Sequence, residues 1–229
     1  MDGHPAEFNR DFYLPFAHAF ASAIRERMPG AVIFLEGQPD SGAPMIPPGI
    51  ENAAYAPHWY DGMTLLRKSY TPWLGADMTT GKVAFGRRRV ADSFARQIGT
   101  IIERGHDEMG GLPVVIGECG IPFDLGGKHA YRTGDFSKQT AALDATMRAL
   151  EANCASFTLW NYTADNTNAR GDGWNGEDLS IYSADQIRLP LPAGADPREA
   201  GGRAIRGFCR PWPRATAGIP ERFRFDPRT

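Results

Sequence analysis

The chain has 229 residues, of which 42% are hydrophobic and 23% charged, and its 25 Lys and Arg against 27 Asp and Glu give a formal net charge of −2. This is the composition of a globular protein, long enough for one domain with a sizeable core, or for one domain plus part of another. The charge balance provides no basic surface for nucleic acid or an anionic membrane. No apolar run approaches the ~20 residues that a membrane-spanning helix needs. Cys119, Cys154 and Cys209 are too few for a disulfide framework and match no zinc spacing.

The first predicted elements are a helix and a strand. An apolar residue at every fourth position predicts a helix over residues 12–28, with these side chains on one face. They are Phe16, Phe20, Ile24 and Met28. Residues 31–35 form a short, continuous apolar run, and their β-branched content favours a strand buried on both faces.

The same alternation continues along the chain. Strands are predicted at residues 53–58, 112–117 and 157–160, and helical faces are marked by Val90, Phe94, Ile98 and Ile101 and by Leu143, Met147 and Leu150. Residues 61–82 are predicted to be a long connection. Alternating helices and buried strands indicate an α/β fold with parallel strands, either an open doubly wound sheet or a (β/α)₈ barrel. No glycine-rich phosphate-binding motif follows a strand, which argues against the members of both fold types that bind phosphate groups.

Polar and aromatic residues come at the end of each predicted strand, where both folds place their functional sites. In chain order these are Glu36, His58, Tyr60, Glu118, Trp160 and Asn161. Carboxylates accept hydrogen bonds from hydroxyl groups, and indole rings stack on the apolar faces of sugar rings. The set therefore indicates a site for an uncharged, polyhydroxylated ligand.

Glu118 ends a buried strand between two glycines, which favours a catalytic carboxylate over a structural ion pair. Its chemistry would be nucleophilic attack on an anomeric carbon, which requires the ionised form. Hydrogen-bond donors from His58 and Tyr60, which point to the same side of an extended chain, would favour that form. Cys119 points to the other side and is predicted to be a small buried side chain rather than a nucleophile.

Other residues of the set have structural alternatives. His58 could be a core histidine, and Trp160 could pack in the core instead of stacking on a sugar. Glu36 could be a second catalytic carboxylate, although a substrate contact or a buried partner for an arginine is favoured. Residues 165–178 are rich in Asp, Asn and Gly, but they fail the calcium-loop pattern and are predicted to be a turn-rich loop.

At these residues the chain resembles glycoside hydrolase family 5, in particular the branch of endoglycoceramidases and related β-glucosidases. The matching segments, in the family's order, are residues 32–37, 55–61, 113–120, 157–162 and 172–180. The resemblance implies a (β/α)₈ barrel and a retaining glycosidase that cleaves β-glycosidic bonds of glycolipids or β-glucosides. It implies that Glu118 is the nucleophile. No cofactor or metal is expected, because the reaction needs only water and carboxyl groups. His58, Tyr60 and Trp160 match family positions near the sugar, and Asn161 and Glu36 are the other expected substrate contacts.

The family's acid/base glutamate follows an asparagine on strand four, and no Asn-Glu-Pro occurs in this chain. The four predicted strands match strands five to eight, so strands one to four and the acid/base are expected before Met1. Residues 1–200 are then a partial catalytic domain, and residues 201–229 are a linker and the first segment of a C-terminal β-sandwich. A complete barrel takes about 250 residues.

A chain without the proton donor is expected to be poorly active by itself. The expected partner is a carbohydrate or glycolipid substrate, not nucleic acid, and residues 63–73 are a candidate surface for a lipid aglycone. A non-catalytic carbohydrate-binding remnant and a structural α/β domain without a sugar role are the alternatives. The cellular compartment and the oligomeric state are left open.

Overall fold

The computed structural model describes residues 5–37 and 50–226. The chain divides into two compact units. The first comprises Met1–His58 and Gly99–Gly117, and the second comprises Trp59–Ile98 and Glu118–Thr229. No helix among the described residues is both long and apolar enough to cross a membrane.

Helices and strands alternate, as the periodicity predicts. A π-helical turn at Asn9–Tyr13 is followed by α1 (Leu14–Arg25), β1 (Ile33–Leu35), β2 (Ala53–Tyr55), α2 (Gly62–Arg67), β3 (Leu74–Ala76), β4 (Val83–Phe85), α3 (Arg87–Glu108), β5 (Val115–Cys119), α4 (Leu125–Thr133), α5 (Ser137–Ala152), β6 (Ser156–Leu159) and α6 (Ile205–Phe208). Each predicted helix and strand is present with its ends shifted by a few residues. The short α2 and the β3–β4 hairpin were not predicted, because elements of three to six residues are too short to show a period.

In the first unit, β1 and β2 are parallel, with Ile33 opposite Ala53. Tyr55 at the end of β2 forms a parallel bridge with Val114, just before β5. The strand pairing is therefore parallel on both sides of β2, which confirms the predicted α/β class with parallel strands.

The four-residue repeat located α1 but did not identify the face that the helix buries. Ala17 and Ala21 pack against the core of β1 and β2, whereas Phe16 is 63% exposed. The small alanines allow the helix axis to approach the strands closely, so the phenylalanines of the next face stay outside. The prediction that β1 is buried on both faces is likewise wrong, since Phe34 is 60% exposed between two buried neighbours.

The second unit contains most of α3 and the whole of α5, whose predicted apolar faces are buried. Phe94 and Ile98 of α3, and Leu143, Met147 and Leu150 of α5, have almost no exposed surface. At the strand ends, the backbone N–H of Trp59 donates to the Glu118 carbonyl (2.9 Å), and that of Trp160 donates to the Cys119 carbonyl (2.8 Å). Three chain segments therefore run side by side where the candidate residues lie.

The segment after residue 200 packs on α5. The Arg210 guanidinium, almost fully buried, contacts Glu151 at 2.7 Å and Asp144 at 2.8 Å. The Phe225 backbone N–H donates to Glu151 at 3.2 Å. Between residues 201 and 226 the structure has the helix α6 and a β-bridge from Gly202 to Tyr182, and the start of a β-sandwich at this point stays a prediction.

Candidate active site

Glu118 and Tyr60 are joined by a hydrogen bond in the second unit. Glu118 is the fourth residue of β5, and Tyr60 follows β2 on the neighbouring segment. The Tyr60 hydroxyl donates to Glu118 Oε1. Burial and this bond to a carboxylate raise the pKa of Tyr60, so the phenol remains a proton-bearing donor across the neutral range. The predicted contact between this tyrosine and Glu118 is confirmed.

Gly120 brings the end of β5 close to the end of β6. A Cβ atom at this position would collide with the Trp160 carbonyl oxygen and would lie 3.7 Å from the Tyr60 ring. The absence of a side chain therefore lets the two strand ends meet beside the Tyr60–Glu118 pair. Trp160 itself is half-buried, so part of its surface is exposed, and its stacking on a sugar stays a prediction.

Asp172 connects Asn161, the residue after Trp160, to the following loop. Asn161 Nδ2 donates to Asp172 at 3.3 Å. The same carboxylate accepts the backbone N–H groups of Trp174 at 3.1 Å and Leu179 at 2.9 Å. Sequence reasoning missed this role because an aspartate in a turn-rich stretch usually bonds only to its own turn.

Glu177 is a second carboxyl group within electrostatic range of Glu118. Burial raises the pKa of Glu177, and the negative charge of Asp172 adds to the shift, as does that of Glu118 to a smaller extent. Its backbone is held in the loop by hydrogen bonds from the Glu177 N–H to the Trp174 carbonyl and from the Asp172 N–H to the Glu177 carbonyl.

Cys119 is buried, as predicted, and its thiol lies 3.5 Å from the Thr158 carbonyl oxygen. Burial, together with the charge of Glu118, raises the pKa of the thiol to about 12. The alternation that points Glu118 towards Tyr60 is consistent with the burial of the sulfur, and the prediction that Cys119 is a small buried side chain is confirmed.

The raised pKa predicts that Cys119 is unreactive in the native protein. Because the thiolate is the reactive form and appears only as the pH approaches 12, iodoacetamide at about pH 8 should leave Cys119 unmodified. The exposed Cys209 should be modified under the same conditions. Peptide mass spectrometry measures both sites, and rapid native modification of Cys119 would contradict the assignment.

Glu36 and His58 form a pair in the first unit. Nδ1 of His58 lies 3.2 Å from Oε1 of Glu36, and the two side chains are 35% and 44% exposed. His58 is therefore not a core histidine, and Glu36 is not the buried partner of an arginine, which corrects both structural alternatives. An N–H group at Nδ1 can donate to Glu36 in the neutral or the protonated imidazole.

The loop after β6 is anchored by the buried Asp178. Its carboxylate accepts from the Tyr131 hydroxyl, from Asn166 Nδ2 at 2.9 Å and from both terminal nitrogens of Arg203. Arg203 has no exposed side-chain surface, and its guanidinium lies 4.4 Å from the centre of the Phe123 ring. Residues 165–178 thus form a turn-rich loop, as predicted, but one closed by a buried ion pair that no local pattern signals.

Within the described ranges, no group of three or more His, Cys, Asp or Glu side chains could hold a metal ion. The site consists instead of hydrogen-bonded carboxyl, phenol and amide groups. Such groups can bind hydroxyl groups, and a carboxylate held by a phenol can attack an electrophilic carbon.

No protein-family model matches the chain. The chain is 33% identical to a glucosylceramidase of Cryptococcus neoformans over 98% of its own length and 32% of the relative's. It is 37% identical to an ergosteryl-β-glucosidase of Saccharomyces cerevisiae over 78% of its length and 25% of the relative's. The crystal structure of Cryptococcus neoformans sterylglucosidase 1 superposes with a TM-score of 0.89 and 33% identity, covering 99% of this chain and 35% of that one. The chain spans about a third or less of the length of these proteins. It shares the fold of the matching part of the solved structure. The predicted resemblance to glycosidases is confirmed.

Proposed function

We propose that the chain supplies the nucleophile and part of the sugar site of a retaining β-glucosidase that acts on glucosides with apolar aglycones. The observation that carries the proposal is the hydrogen bond from Tyr60 to Glu118 at the joined strand ends beside Trp160. The names of the relatives, a glucosylceramidase and an ergosteryl-β-glucosidase, support the substrate class.

In the proposed reaction, a Glu118 carboxylate oxygen attacks the anomeric carbon while the bond from that carbon to the aglycone oxygen breaks. A glycosyl ester on Glu118 results, and water hydrolyses it to release glucose and regenerate the carboxylate. Tyr60 orients the carboxylate through its hydrogen bond. Trp160 provides a stacking surface, and Asn161, held by Asp172, provides an amide for a sugar hydroxyl.

Retention requires a second carboxyl group about 5 Å from the nucleophile to protonate the leaving oxygen. In this proposal the acid/base belongs to strand four of a complete (β/α)₈ barrel, and the present chain supplies strands five to eight. Residues 1–200 are then the partial catalytic domain, and residues 201–229 lead into a β-sandwich. The exposed Glu36–His58 pair is assigned to substrate contact.

A trapping experiment tests the nucleophile without requiring the acid/base. The reagent 2,4-dinitrophenyl 2-deoxy-2-fluoro-β-glucoside has a leaving group that departs without protonation, and its fluorine slows hydrolysis of the ester. We expect peptide mass spectrometry to find the fluoroglucosyl group on Glu118. Labelling should persist in Glu36→Gln and Glu177→Gln and disappear in Glu118→Gln.

Labelling of a different carboxyl group would contradict the assignment of Glu118. Absence of labelling, with glucoside binding still detected by tryptophan fluorescence, would favour the alternative of a carbohydrate-binding remnant. Absence of both labelling and binding in a folded chain would remove the sugar role altogether.

Tyr60→Phe is expected to slow the labelling of Glu118 by roughly 10- to 100-fold, because the carboxylate loses the bond that orients its attacking oxygen, and a misplacement of about 1 Å can cost on the order of 100-fold. The measurement is the rate of ester formation. Tyr70→Phe is a matched control, since Tyr70 is also a half-buried tyrosine of the second unit and packs against the cluster around Phe123. Equal rates in the two variants would show that the Tyr60 hydroxyl does not support the reaction.

A further inference from the structure

A cavity of about 540 Å³ lies in the second unit, next to the residues that follow β6. Its volume falls within the roughly 300–1,000 Å³ typical of small-molecule sites. The apolar wall consists of Tyr162, Ile181, Tyr182, Ile205 and Phe208. The two tyrosine rings lie with their centres 5.5 Å apart. The proposed catalytic steps use none of these side chains.

The wall of the cavity is held in place before any ligand arrives. Tyr182 forms a β-bridge with Gly202, and the Arg203 backbone N–H donates to the Ile181 carbonyl at 2.8 Å. Gly201 has a positive φ of 81°, and a Cβ atom there would collide with the Tyr182 ring. The buried side chain of Arg203 then anchors this segment in the core. A preformed wall reduces the conformational cost of binding.

The polar residues that line the cavity do not provide a free cation. The Arg198 guanidinium contacts the Asp196 carboxylate, with Nη2 2.6 Å from Oδ2. The hydrogen bond from Arg198 lowers the pKa of Asp196, so this carboxylate stays charged. With Glu199 included, the lining carries one positive and two negative formal charges. Such a lining disfavours a carboxylate or phosphate, and the aromatic and aliphatic wall favours an apolar ligand.

The cavity is connected to the end of β6 through the backbone. Tyr162 directly follows Asn161, and the Ile181 N–H donates to the Asn161 carbonyl at 2.8 Å. A ligand whose polar end lies near Asn161 can therefore extend an apolar part along this wall. In residues 63–73, the surface predicted for a lipid, Leu66 is 71% exposed and Arg87 lies over the Trp73 ring.

We propose that this cavity binds the aglycone of the glucoside substrate as an uncharged, apolar alcohol. The inference rests on the proposed function for its link to catalysis. The binding itself depends only on the aromatic and aliphatic wall and on the charge of the polar lining.

Binding of the free alcohol tests the inference independently of hydrolysis. The probe is dehydroergosterol, an uncharged fluorescent sterol, delivered to the 229-residue chain in cyclodextrin, with energy transfer from tryptophan as the signal. We expect saturable binding that Tyr182→Ala and Phe208→Ala each weaken about tenfold or more. Leu66→Ala, at an exposed apolar position on α2, should bind normally. Palmitate, an anion, should not compete.

Cys209 gives a second measurement that needs no variant, because it lines the cavity and is exposed. Sterol at about ten times its Kd should slow maleimide labelling of Cys209 about tenfold. Labelling of Cys154, which is outside the lining, should not change. Lack of sterol binding while fluoroglucoside still labels Glu118 would overturn this inference and leave the proposed function standing. Equal competition by palmitate, or an unprotected Cys209, would also overturn it.

Discussion

Glu118→Gln is expected to lower the hydrolysis of 2,4-dinitrophenyl β-glucoside by roughly 10⁴-fold or more, the scale on which removal of a nucleophile acts. Glutamine keeps the shape of the side chain and a carbonyl oxygen that can still accept from Tyr60. It cannot form the glycosyl ester, because an amide is not a nucleophile of comparable strength. The loss should therefore appear without a change in the unfolding midpoint.

The leaving group provides an internal control for this result. For a glucoside whose aglycone needs protonation, the 229-residue chain itself should already be slow, by about 10²–10⁴-fold, if no proton donor acts. Initial rates on the activated and unactivated glucosides measure the difference. Efficient turnover of an unactivated glucoside that Glu118→Gln abolishes would contradict an acid/base located elsewhere and would point to Glu36 as that group.

Arg203→Met is expected to lower the free energy of unfolding by about 3–5 kcal/mol, because it leaves the buried Asp178 without its cation. Tyr131 and Asn166 still donate to the carboxylate, but neither carries a charge. Urea unfolding followed by tryptophan fluorescence measures the loss. The loop after β6 should loosen as well, since Arg203 also donates to the Ser180 carbonyl at 3.1 Å.

Two further variants separate loss of the ion pair from loss of packing. The double variant Arg203→Met with Asp178→Leu should be more stable than the sum of the single losses, because it leaves no uncompensated charge. Arg198→Ala breaks the exposed pair with Asp196 and should leave the urea midpoint nearly unchanged. Equal effects of Arg203→Met and Arg198→Ala would show that burial of the ion pair has no energetic consequence.

The candidate site was partly predictable, because residues at the ends of parallel strands meet wherever the strands are neighbours. This reasoning brought Tyr60 and Glu118 together across 58 positions of the chain, and the structure contains their hydrogen bond. It did not identify the Glu36–His58 pair, because the sequence suggests a different structural role for each residue and no contact between them. The alternation of elements along the chain indicates which strand ends meet. The hydrogen-bond partner of each side chain at those ends depends on side-chain positions, which the alternation does not determine.

The roles of Asp172, Asp178 and Arg203 could not be predicted. Asp172 resembles other turn aspartates, and the partners of Asp178 lie 47, 12 and 25 positions away along the chain. Nothing in a local window distinguishes a buried arginine from a solvated one. The buried charges of this loop therefore became visible only in the structure.

The sequence by itself determined the alternation of helices and strands and the buried faces of α3 and α5, because a repeat of three or four residues is a local property that a single helix displays in full. The tertiary structure decided that α1 buries Ala17 and Ala21 rather than Phe16 and Phe20, which partner each buried charge has, and where the cavity beside β6 opens. These outcomes depend on how closely distant segments approach one another, and periodicity within one segment carries no information about that distance.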